Sequence, residues 1–469
     1  TQVAAQSVGA IGGLLGVGVY TADATSSPAV ATTLDQFPMT AGGALQVGAQ
    51  VAGLNTARAI AGSGGLFSGE ASKAVLQTSP TVSTTITASA LTGASLSVQA
   101  LDQSRYNAYS DSVNAAVLGM SGAIVVNTAA PAASLQLAGG TALQATTGGV
   151  TLGAQTALIN LGGEASLVDA GGQGDLAMVR LGAGGGLVGY AGGVYSNYTP
   201  SATLVVGDGV TVTAPQGIGV VASQDFQSSE VAVLKTGGLI DVSVAIAQLT
   251  ANFDTTITIG ESTTWQSSLG DVELGTVVSV SADNLGLSKT WGLAGGADGQ
   301  GASTIAVAQG VTVGAGTTIT ALDDVVILAG ENPTTRQVTQ IDALSMGDAH
   351  FGGLAGDAFA SSTLNMSSAS SLGLATGSVV KSGGDVIVGA HPGVNSTTQY
   401  ASHGYDRNFR TTNVSAGTVT ESAEATLDGS IAAGAFADLD VVIDSTGTQL
   451  TVNGQVTSLA TGNAGFVNT

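Results

Sequence analysis

The chain has 469 residues, far more than the ~150 of one compact domain, so it contains either several domains or one elongated repeat architecture. Seventy glycines, with only 4% aromatic and 9% charged residues, favour a narrow interior that small and β-branched side chains fill. A net charge of −22 excludes nucleic acid as a partner, and the absence of cysteine excludes disulfides and thiolate metal sites.

No transmembrane span is predicted, although the chain is apolar on average. A spanning helix needs ~18–20 consecutive apolar residues, and the best run, residues 11–20, is interrupted by glycines. The chain starts at Thr1 without a charged and apolar leader, so we expect that any signal peptide is missing or already removed.

Short strands with alternating polarity are predicted along the whole chain, bounded by Gly, Asn or Asp. Helical periodicity is weak, and only residues 34–60 have a pattern that a short helix would also explain. The predicted strands are residues 84–87, 204–213, 256–259, 277–281, 317–320, 325–328, 386–388 and 441–443.

Three landmarks recur in a fixed order with a period of ~52–63 residues, which is typical of repeat architectures. A Gly-rich apolar patch comes first, Thr or Ser followed by an aliphatic residue comes second, and an exit strand such as residues 218–222, 278–282 or 325–329 comes third. The apolar patches are Gly64-Gly65-Leu66, Ser121-Gly122-Ala123-Ile124, Gly185-Gly186-Leu187, Gly237-Gly238-Leu239, Trp291-Gly292-Leu293 and Gly352-Gly353-Leu354.

The variable period favours a β-solenoid with irregular corner loops over a propeller, because a solenoid accepts insertions at its corners. We interpret each unit as two or three coils of ~20–25 residues, so that about twenty coils stacked ~4.8 Å apart would form a rod on the order of 100 Å long. The exposed end strands of such a rod require a cap, a neighbouring domain or another copy of the chain.

Segments such as Gly310-Val311-Thr312-Val313 and Asp324-Val325-Val326-Ile327-Leu328 resemble the repeats of filamentous-haemagglutinin and leukotoxin-type filamentous adhesins of Gram-negative bacteria. The resemblance covers residues 81–392 and implies a right-handed parallel β-helix, export by a partner protein and a role in attachment. The family's Asn-Pro-Asn-Gly secretion motif has no match here, which leaves the export route open. Residues 1–80 are then the start of the solenoid or a preceding irregular segment, and residues 393–469 continue the solenoid.

Residues 402–410 concentrate basic and aromatic side chains in a chain that has few of either. They are predicted to form a protruding loop that contacts a partner through Arg hydrogen bonds and ring stacking, or a corner loop held by its own Arg–Asp contact. Residues 105–111 are a weaker example of the same composition. The candidate contact residues are His403, Tyr405, Arg407, Phe409 and Arg410.

No catalytic or cofactor site is predicted. Asp323 and Asp324 are adjacent and would point to opposite faces of an extended strand, whereas Asp438 and Asp440 share a face but have no cation nearby in sequence. Residues 171–175 are one imperfect match to a calcium-binding Gly-Gly-x-Gly-x-Asp repeat, so calcium is expected only as a loosely bound ion on acidic loops.

These features together predict a non-enzymatic structural or adhesive protein at the cell surface or outside the cell, with Gram-negative secretion expected from the resemblance. It would be the shaft of a filamentous adhesin or the subunit of a fibre. Expected partners are other copies of the chain, neighbouring domains of a longer chain, or carbohydrate or protein of a cell surface or matrix. The alternative is a β-helix enzyme that acts on polysaccharides as a lyase or hydrolase.

Overall fold

The computed structural model describes residues 2–160, 165–168, 174–405, 410–433, 439–443, 449–452 and 464–468. All regular structure in these ranges is β-strand, as the sequence predicts. The short helix considered for residues 34–60 is wrong. From Leu45 onward these residues belong to one long strand whose side chains alternate between interior and solvent, a period of two.

Several strands are far longer than the ~5–6 residues usual in globular proteins, and two of them have 42 residues each. The strands are β1 (Gln2–Ser26), β2 (Ala29–Asp35), β3 (Met39–Thr40), β4 (Leu45–Thr78), β5 (Thr81–Thr87), β6 (Ala90–Gly93), β7 (Leu96–Ala129), β8 (Ala132–Leu137), β9 (Ala142–Ala145), β10 (Val150–Asn160), β11 (Ala165–Val168), β12 (Gly174–Ala177), β13 (Val179–Tyr198), β14 (Ser201–Val206), β15 (Thr211–Ala214), β16 (Ile218–Ile259), β17 (Thr264–Ser267), β18 (Val272–Val313), β19 (Thr318–Ala321), β20 (Val325–Ala329), β21 (Gln340–Leu374), β22 (Val379–Ser382), β23 (Val386–Ala390), β24 (Val394–Tyr405), β25 (Arg410–Leu427), β26 (Ser430–Ala432), β27 (Leu439–Ile443), β28 (Gln449–Val452) and β29 (Ala464–Asn468).

Long strands pair in parallel with their counterparts in the next unit of sequence. Leu45 of β4 lies beside Leu96 of β7, and Leu96 lies beside Val150 of β10. Likewise Ile218 of β16 lies beside Val272 of β18. We use this register to number the repeats: repeat 1 (residues 2–44), repeat 2 (45–95), repeat 3 (96–149), repeat 4 (150–217), repeat 5 (218–271), repeat 6 (272–324), repeat 7 (325–385) and repeat 8 (386–438).

Each repeat is therefore one level of the ladder, and the predicted coils of ~20–25 residues are wrong for most of the chain. An offset of 25 residues occurs only close to the carboxyl-terminal end of the described chain, between β25 and β28 and between β27 and β29. Eight levels spaced ~4.8 Å apart give a ladder about 40 Å long, less than half the length expected from short coils.

Two insertions account for the irregular spacing of the landmarks. The antiparallel hairpin of β11 and β12 lengthens repeat 4, and residues 330–339 lengthen repeat 7. The second insertion contains an antiparallel bridge between Glu331 and Val338. Both insertions lie between strands that keep their register, at positions where the neighbouring repeats have an uninterrupted strand, so the expectation that insertions occur at corners is wrong.

A repeat has two parts, which repeat 5 illustrates. The body is formed by residues 218–222 and 254–259 of β16 and by β17, and the side chains of all three pack into one aliphatic core. The arm is formed by residues 223–253, which run away from the body and return to it within the same long strand. Body and arm are the two names used below.

Stacked aliphatic side chains fill the body. Each of the three strand segments of the body has a large buried residue at the same register position in successive repeats. These residues stack into columns, and every repeat adds one layer to each column. One column consists of Leu135, Leu204, Ile257, Val311 and Leu372, and another consists of Leu143, Val212, Trp265, Ile319, Val380 and Ile431.

The register of the ladder does not change at residues 80–81 or 392–393, which are the predicted boundaries of the shaft. β4 pairs with β7, and β21 pairs with both β24 and β25. Residues 2–78 therefore belong to the same ladder as the predicted shaft, not to a separate irregular segment. In the part of the chain that the structure describes, no helix has the length and hydropathy to cross a membrane.

Candidate functional site: the exposed edge of the arm

The arm folds back on itself at a tip, because residues at equal distances before and after one point are in contact. In repeat 3 the hydroxyls of Ser112 and Ser121 lie 2.5 Å apart. In repeat 6 the Asn284 amide donates to the Ser303 hydroxyl at 3.0 Å. In repeat 7 the Ser362 hydroxyl donates to the Ser345 carbonyl at 2.8 Å. These pairs place the tips near residues 117, 293 and 354.

Most of the predicted Gly-rich patches are these tips. Gly65 has φ +149°, and a Cβ there would overlap the carbonyl oxygen of Gly13 in the neighbouring repeat, so this position of repeat 2 requires glycine. The patch assigned to residues 121–124 is wrong. Ser121 lies beside Glu70, and Ala116 is the residue beside Gly65. Repeat 3 has alanines at its tip, so no glycine pair marks it in the sequence.

The tips form one continuous apolar edge, which we call the ridge. Its central positions lie one above another, each between residues that are paired with the neighbouring repeats. Leu14 and Leu354, at the two ends of the part that the structure describes, are 74% and 73% exposed. The central positions are Leu14, Leu66, Val117, Gly186, Leu239, Leu293 and Leu354, flanked by the exposed side chains of Leu15, Val17, Val19, Phe67, Val113, Met120, Leu187, Ile240, Val242 and Trp291.

The seven tip segments of the ridge contain no charged residue, although Val242 lies beyond the buried Asp241 and Lys289 lies two positions before Trp291. These segments are residues 12–19, 62–69, 112–120, 181–190, 236–240, 290–297 and 351–356. Sixteen large apolar side chains at roughly 100 Å² each amount to on the order of 1,500 Å², which exceeds the ~300–600 Å² of the largest patch on a typical monomer. An uncharged apolar edge of this size is typical of a surface that contacts another molecule.

A groove lies along one side of the ridge over repeats 1–4. It has a volume of about 360 Å³, and Leu15, Phe67, Leu118, Met120 and Leu187 supply its apolar walls. Gly16, Gly69 and Gly119 lie along it and leave room between these side chains. The groove can accept a bulky apolar side chain from a partner.

Behind the ridge, the interior of the arm contains buried polar groups beside its apolar cluster. Ser112 and Ser121 both donate to a carboxylate oxygen of Glu70, at 2.9 and 3.3 Å. Farther along the arm, the hydroxyls of Ser243 and Ser288 lie 2.6 Å apart. Small hydroxyl residues let the two halves of the arm approach closely while their polar groups bond one another.

Glu230 is the centre of the largest buried polar group. Its carboxylate accepts hydrogen bonds from Ser196 and Ser228 at 2.7 and 2.6 Å and from the Tyr198 hydroxyl at 2.6 Å. Burial raises the pKa of Glu230, and these donors lower it in part. The side chain is wholly buried, so it stabilises the interior and is not accessible to a substrate.

Asp271, Asp323 and Asp324 form an acidic corner on the body. Their carboxylate oxygens lie within 4.8 Å of one another, and among the described residues no other group of three has this geometry. The expectation that Asp323 and Asp324 point to opposite faces is wrong, because they lie at a bend and not in an extended strand.

The same corner continues into repeat 7. The Asp324 amide donates to Asp271 at 2.9 Å, and the Asp385 amide donates to Asp324 at 2.7 Å. Burial raises the pKa of Asp324, the Asp385 amide opposes that shift, and the charges of Asp385, Asp271 and Asp323 add to it. Carboxylate oxygens are the ligands that calcium prefers, so these residues are the ones able to hold a divalent cation.

Two histidines lie against carboxylates. His350 is 3.1 Å from Asp348, and His391 is 3.3 Å from Glu331, which also pairs with Arg336 at 2.8 Å. Glu331 and Arg336 both belong to the insertion of repeat 7, and the contact between Glu331 and His391, the residue after β23, joins the insertion to repeat 8. Neither histidine belongs to the acidic corner.

The predicted contact segment 402–410 is in part a strand. His403 and Tyr405 lie in β24 beside Ala349 and Phe351, because this segment continues the arm of repeat 7 into repeat 8. Arg410 is the first residue of β25 and lies beside Asp357. Arg407 and Phe409 lie outside the described residues, as do Asp438 and residues 171–173 of the calcium-like motif.

The second predicted segment, residues 105–111, is also not a contact loop. Tyr106 and Tyr109 are buried in β7, and the Tyr109 hydroxyl donates to Asp111 at 2.9 Å. The Tyr106 ring packs against Tyr198 with a centroid distance of 5.5 Å. Aromatic side chains at this position fill the interior of the arm.

A polar groove lies on the outer surface where arm and body meet. It has a volume of about 470 Å³, and amides, hydroxyls and one carboxylate line it over repeats 3–7. Gln103, Gln155, Asp225, Gln227 and Gln337 contribute its hydrogen-bonding groups. Side chains of this kind can bind the hydroxyls of a neutral carbohydrate.

Comparison with known proteins gives no match to this chain among protein-family models, curated proteins or solved structures.

Proposed function

We propose that this chain is a non-enzymatic structural or adhesive protein, the shaft of a secreted filamentous adhesin or the subunit of an extracellular fibre. In this proposal the parallel strands form a right-handed β-helix with one winding per repeat. The resemblance of its repeats to filamentous-haemagglutinin-type adhesins supports a place at the surface of a Gram-negative cell or outside it.

One observation carries the proposal: the register between consecutive repeats is kept from residue 2 to residue 443. A ladder in which each level pairs with the next can be extended by any number of repeats, and this is the property that a shaft requires. Among the described residues, the clustered titratable groups are the carboxylates of the acidic corner and the histidines beside Asp348 and Glu331.

The open edge of β1 supports assembly along the ladder. This strand has 25 residues and pairs in the structure with β4 alone. Unpaired N–H and C=O groups along such an edge can bond another parallel strand, from a neighbouring part of a longer chain or from another copy.

The polar groove supports contact with carbohydrate of a cell surface or matrix. Amides and hydroxyls repeated over five levels can bind successive sugars of an extended chain, each through a few hydrogen bonds. Calcium bound loosely at Asp271, Asp323 and Asp324 would reduce the negative charge of the body and favour contact between copies.

Electron microscopy of the purified chain, with calcium and with a chelator, tests the proposal. A shaft domain gives short particles about 40 Å long in the ladder direction, and a fibre subunit gives filaments that grow without an added partner. Globular particles without a long axis in any assembly, and no attachment to glycan arrays, would contradict the proposal.

The acidic corner supports one rival function, a polysaccharide lyase or hydrolase, because such enzymes use converging carboxylates. Incubation with acidic and neutral polysaccharides, followed by measurement of unsaturated and reducing ends, separates the two. Turnover that Asp324→Asn abolishes would replace the structural proposal with the enzymatic one.

A further inference from the structure

The ridge is an apolar surface without an occupant in the structure, and three of its properties identify the occupant. They are its area, its lack of charge and the unequal distribution of bulky side chains along it. Each of them favours a second copy of the same chain.

The exposed apolar area is large enough for a stable dimer. A standard protein interface takes ~800 Å² from each partner, and the ridge offers on the order of 1,500 Å² of apolar side chain. One edge of seven repeats can therefore supply a complete interface without help from the rest of the surface.

Charge favours contact between ridges over contact elsewhere. Two copies with a net charge of −22 each repel one another over most of their surfaces. The seven tip segments contain no charged residue, so repulsion is weakest where two ridges meet. The same negative charge disfavours an anionic lipid surface as the occupant.

The shape of the ridge favours an antiparallel arrangement. Trp291, the largest exposed side chain of the ridge, lies two positions before the central residue of repeat 6, whereas the groove beside Phe67 and Met120 follows the central residues of repeats 1–4. A two-fold axis at repeat 4 sets repeat 6 of one copy opposite repeat 2 of the other, with the side before the tip against the same side, so each indole meets Gly64, which leaves room for it. Gly186, which has no side chain, lies at the axis and permits close approach there.

We propose that two copies of this chain associate side by side through their ridges, antiparallel, about a two-fold axis at repeat 4. Lateral pairing does not depend on the adhesive function, since it uses the tips of the arms and leaves the polar groove and the open edge of β1 free.

Sedimentation equilibrium tests the association itself. The intact chain is expected to dimerise, and Trp291→Asp or Leu239→Asp to weaken the dimer about tenfold or more, because each buries a charge in the interface. Gln266→Asp on the exposed face of β17 is the matched control and is expected to leave the dimer unchanged. Circular dichroism and urea unfolding verify that all three variants fold. The proposal is overturned if the chain stays monomeric, or if neither ridge variant changes the dissociation constant of the dimer.

Single cysteines in this cysteine-free chain test the orientation. Leu187→Cys, next to the axis, is expected to form a disulfide-linked dimer by itself. Phe67→Cys and Leu293→Cys are expected to crosslink with each other when mixed, and each much less with itself. Efficient self-crosslinking of both single variants would show parallel packing and contradict the two-fold arrangement.

Two outcomes separate this proposal from its alternatives. Ridge-dependent binding of a monomer to phosphatidylcholine vesicles would show that lipid is the occupant and would overturn pairing between copies. Filaments formed end to end by a chain whose ridge does not dimerise would overturn lateral pairing but leave the proposed shaft function intact.

Discussion

Body and arm are built from the same parallel ladder but differ in how much polar surface they bury. The body stacks aliphatic columns such as Leu204, Ile257 and Val311, and its exposed corner is acidic. The arm has an apolar cluster of its own and also encloses serines, asparagines and the carboxylates of Glu70 and Glu230, and its exposed tip is apolar. A continuous backbone ladder thus permits either kind of interior, provided that buried polar groups find partners.

The comparison indicates a division of roles. The body gains stability from apolar burial, which is non-directional and accumulates with every layer. The arm also buries apolar side chains such as Phe226 and Leu234, but part of its interior is polar, and each hydrogen bond there contributes only ~1 kcal/mol. Its form instead presents the ridge to partners at a distance from the acidic body.

The two tryptophans give the sharpest test of this difference. Trp265 is fully buried in the body, and its indole N–H donates to Thr263 at 3.1 Å, whereas Trp291 at the arm tip is 53% exposed. Trp265→Ala is expected to lower the free energy of unfolding by about 3–5 kcal/mol through the cavity that it leaves. Trp291→Ala is expected to change it by less than about 0.5 kcal/mol. Urea unfolding at a concentration that keeps the chain monomeric measures both, and equal losses would contradict the assignment of the core to the body.

Glycines at the arm tip test whether the reversal is tightly constrained. Gly65→Ala is expected to cost about 2 kcal/mol, because alanine rarely adopts a φ of +149° and its Cβ would overlap the Gly13 carbonyl. Gly12→Ala is the matched control, since a Cβ there meets no atom within 4 Å, and it is expected to be nearly neutral. Thermal and urea unfolding compare the two, and a neutral Gly65→Ala would show that the tip is not held as described.

Buried acids in the arm predict that the protein gains stability in mild acid. Burial raises the pKa of Asp102 from 3.8 to about 6, and the Ser104 hydroxyl lowers it in part. The folded protein therefore holds this proton more tightly than the unfolded chain, so the contribution of Asp102 to stability is greatest below about pH 4 and declines as the pH rises to about 6. Asp102→Asn removes this decline and is expected to be more stable than the parent by about 2 kcal/mol at pH 7, with little difference at pH 4.

Urea unfolding midpoints from pH 4 to pH 8 measure the effect. Asp35→Asn, at an exposed position of the body, is the matched control and is expected to follow the parent at every pH. An Asp102→Asn variant with the pH profile of the parent would show that this carboxyl is not desolvated.

The smallest expected effect concerns one hydrogen bond inside the arm. Ser288→Ala removes the contact with the Ser243 hydroxyl and a bond of 3.1 Å to the Ser243 carbonyl, and is expected to cost about 1 kcal/mol. Ser281→Ala changes an exposed serine of the same strand and should be neutral. Unfolding free energies that do not differ between the two variants would mean that the polar interior contributes nothing measurable.

The sequence predicts the strand class, because β-branched alternation is a local signal. Glycine pairs such as Gly237-Gly238 are recognised as landmarks of the repeat, but not as the points where the chain reverses. The sequence does not predict how many residues form one level of the ladder. A strand that runs out along an arm and back has the same alternation as several short coils, and only the partner of each strand distinguishes them. The exit strand assigned to Val278 shows the difficulty, since Val272 is the residue beside Ile218.

The sites are predicted less well, and for a physical reason. Exposure of Leu239 and burial of Tyr106 depend on where the chain reverses, which composition does not reveal. Residues 402–405 looked like a loop because they are polar and aromatic, but they lie in a strand beside residues 348–351 of repeat 7. The acidic corner joins residues 52 and 53 positions apart, a proximity that follows from the register alone.

Spin labels on cysteine pairs measure that register directly. Thr258 and Thr312 are exposed neighbours on β16 and β18, whereas Ser281, 23 residues after Thr258, lies in the arm of the next repeat. If each level of the ladder is one whole repeat, labels at 258 and 312 show strong dipolar broadening and labels at 258 and 281 show weak broadening. Strong coupling at 258 and 281 with none at 258 and 312 would show short coils and contradict the fold described.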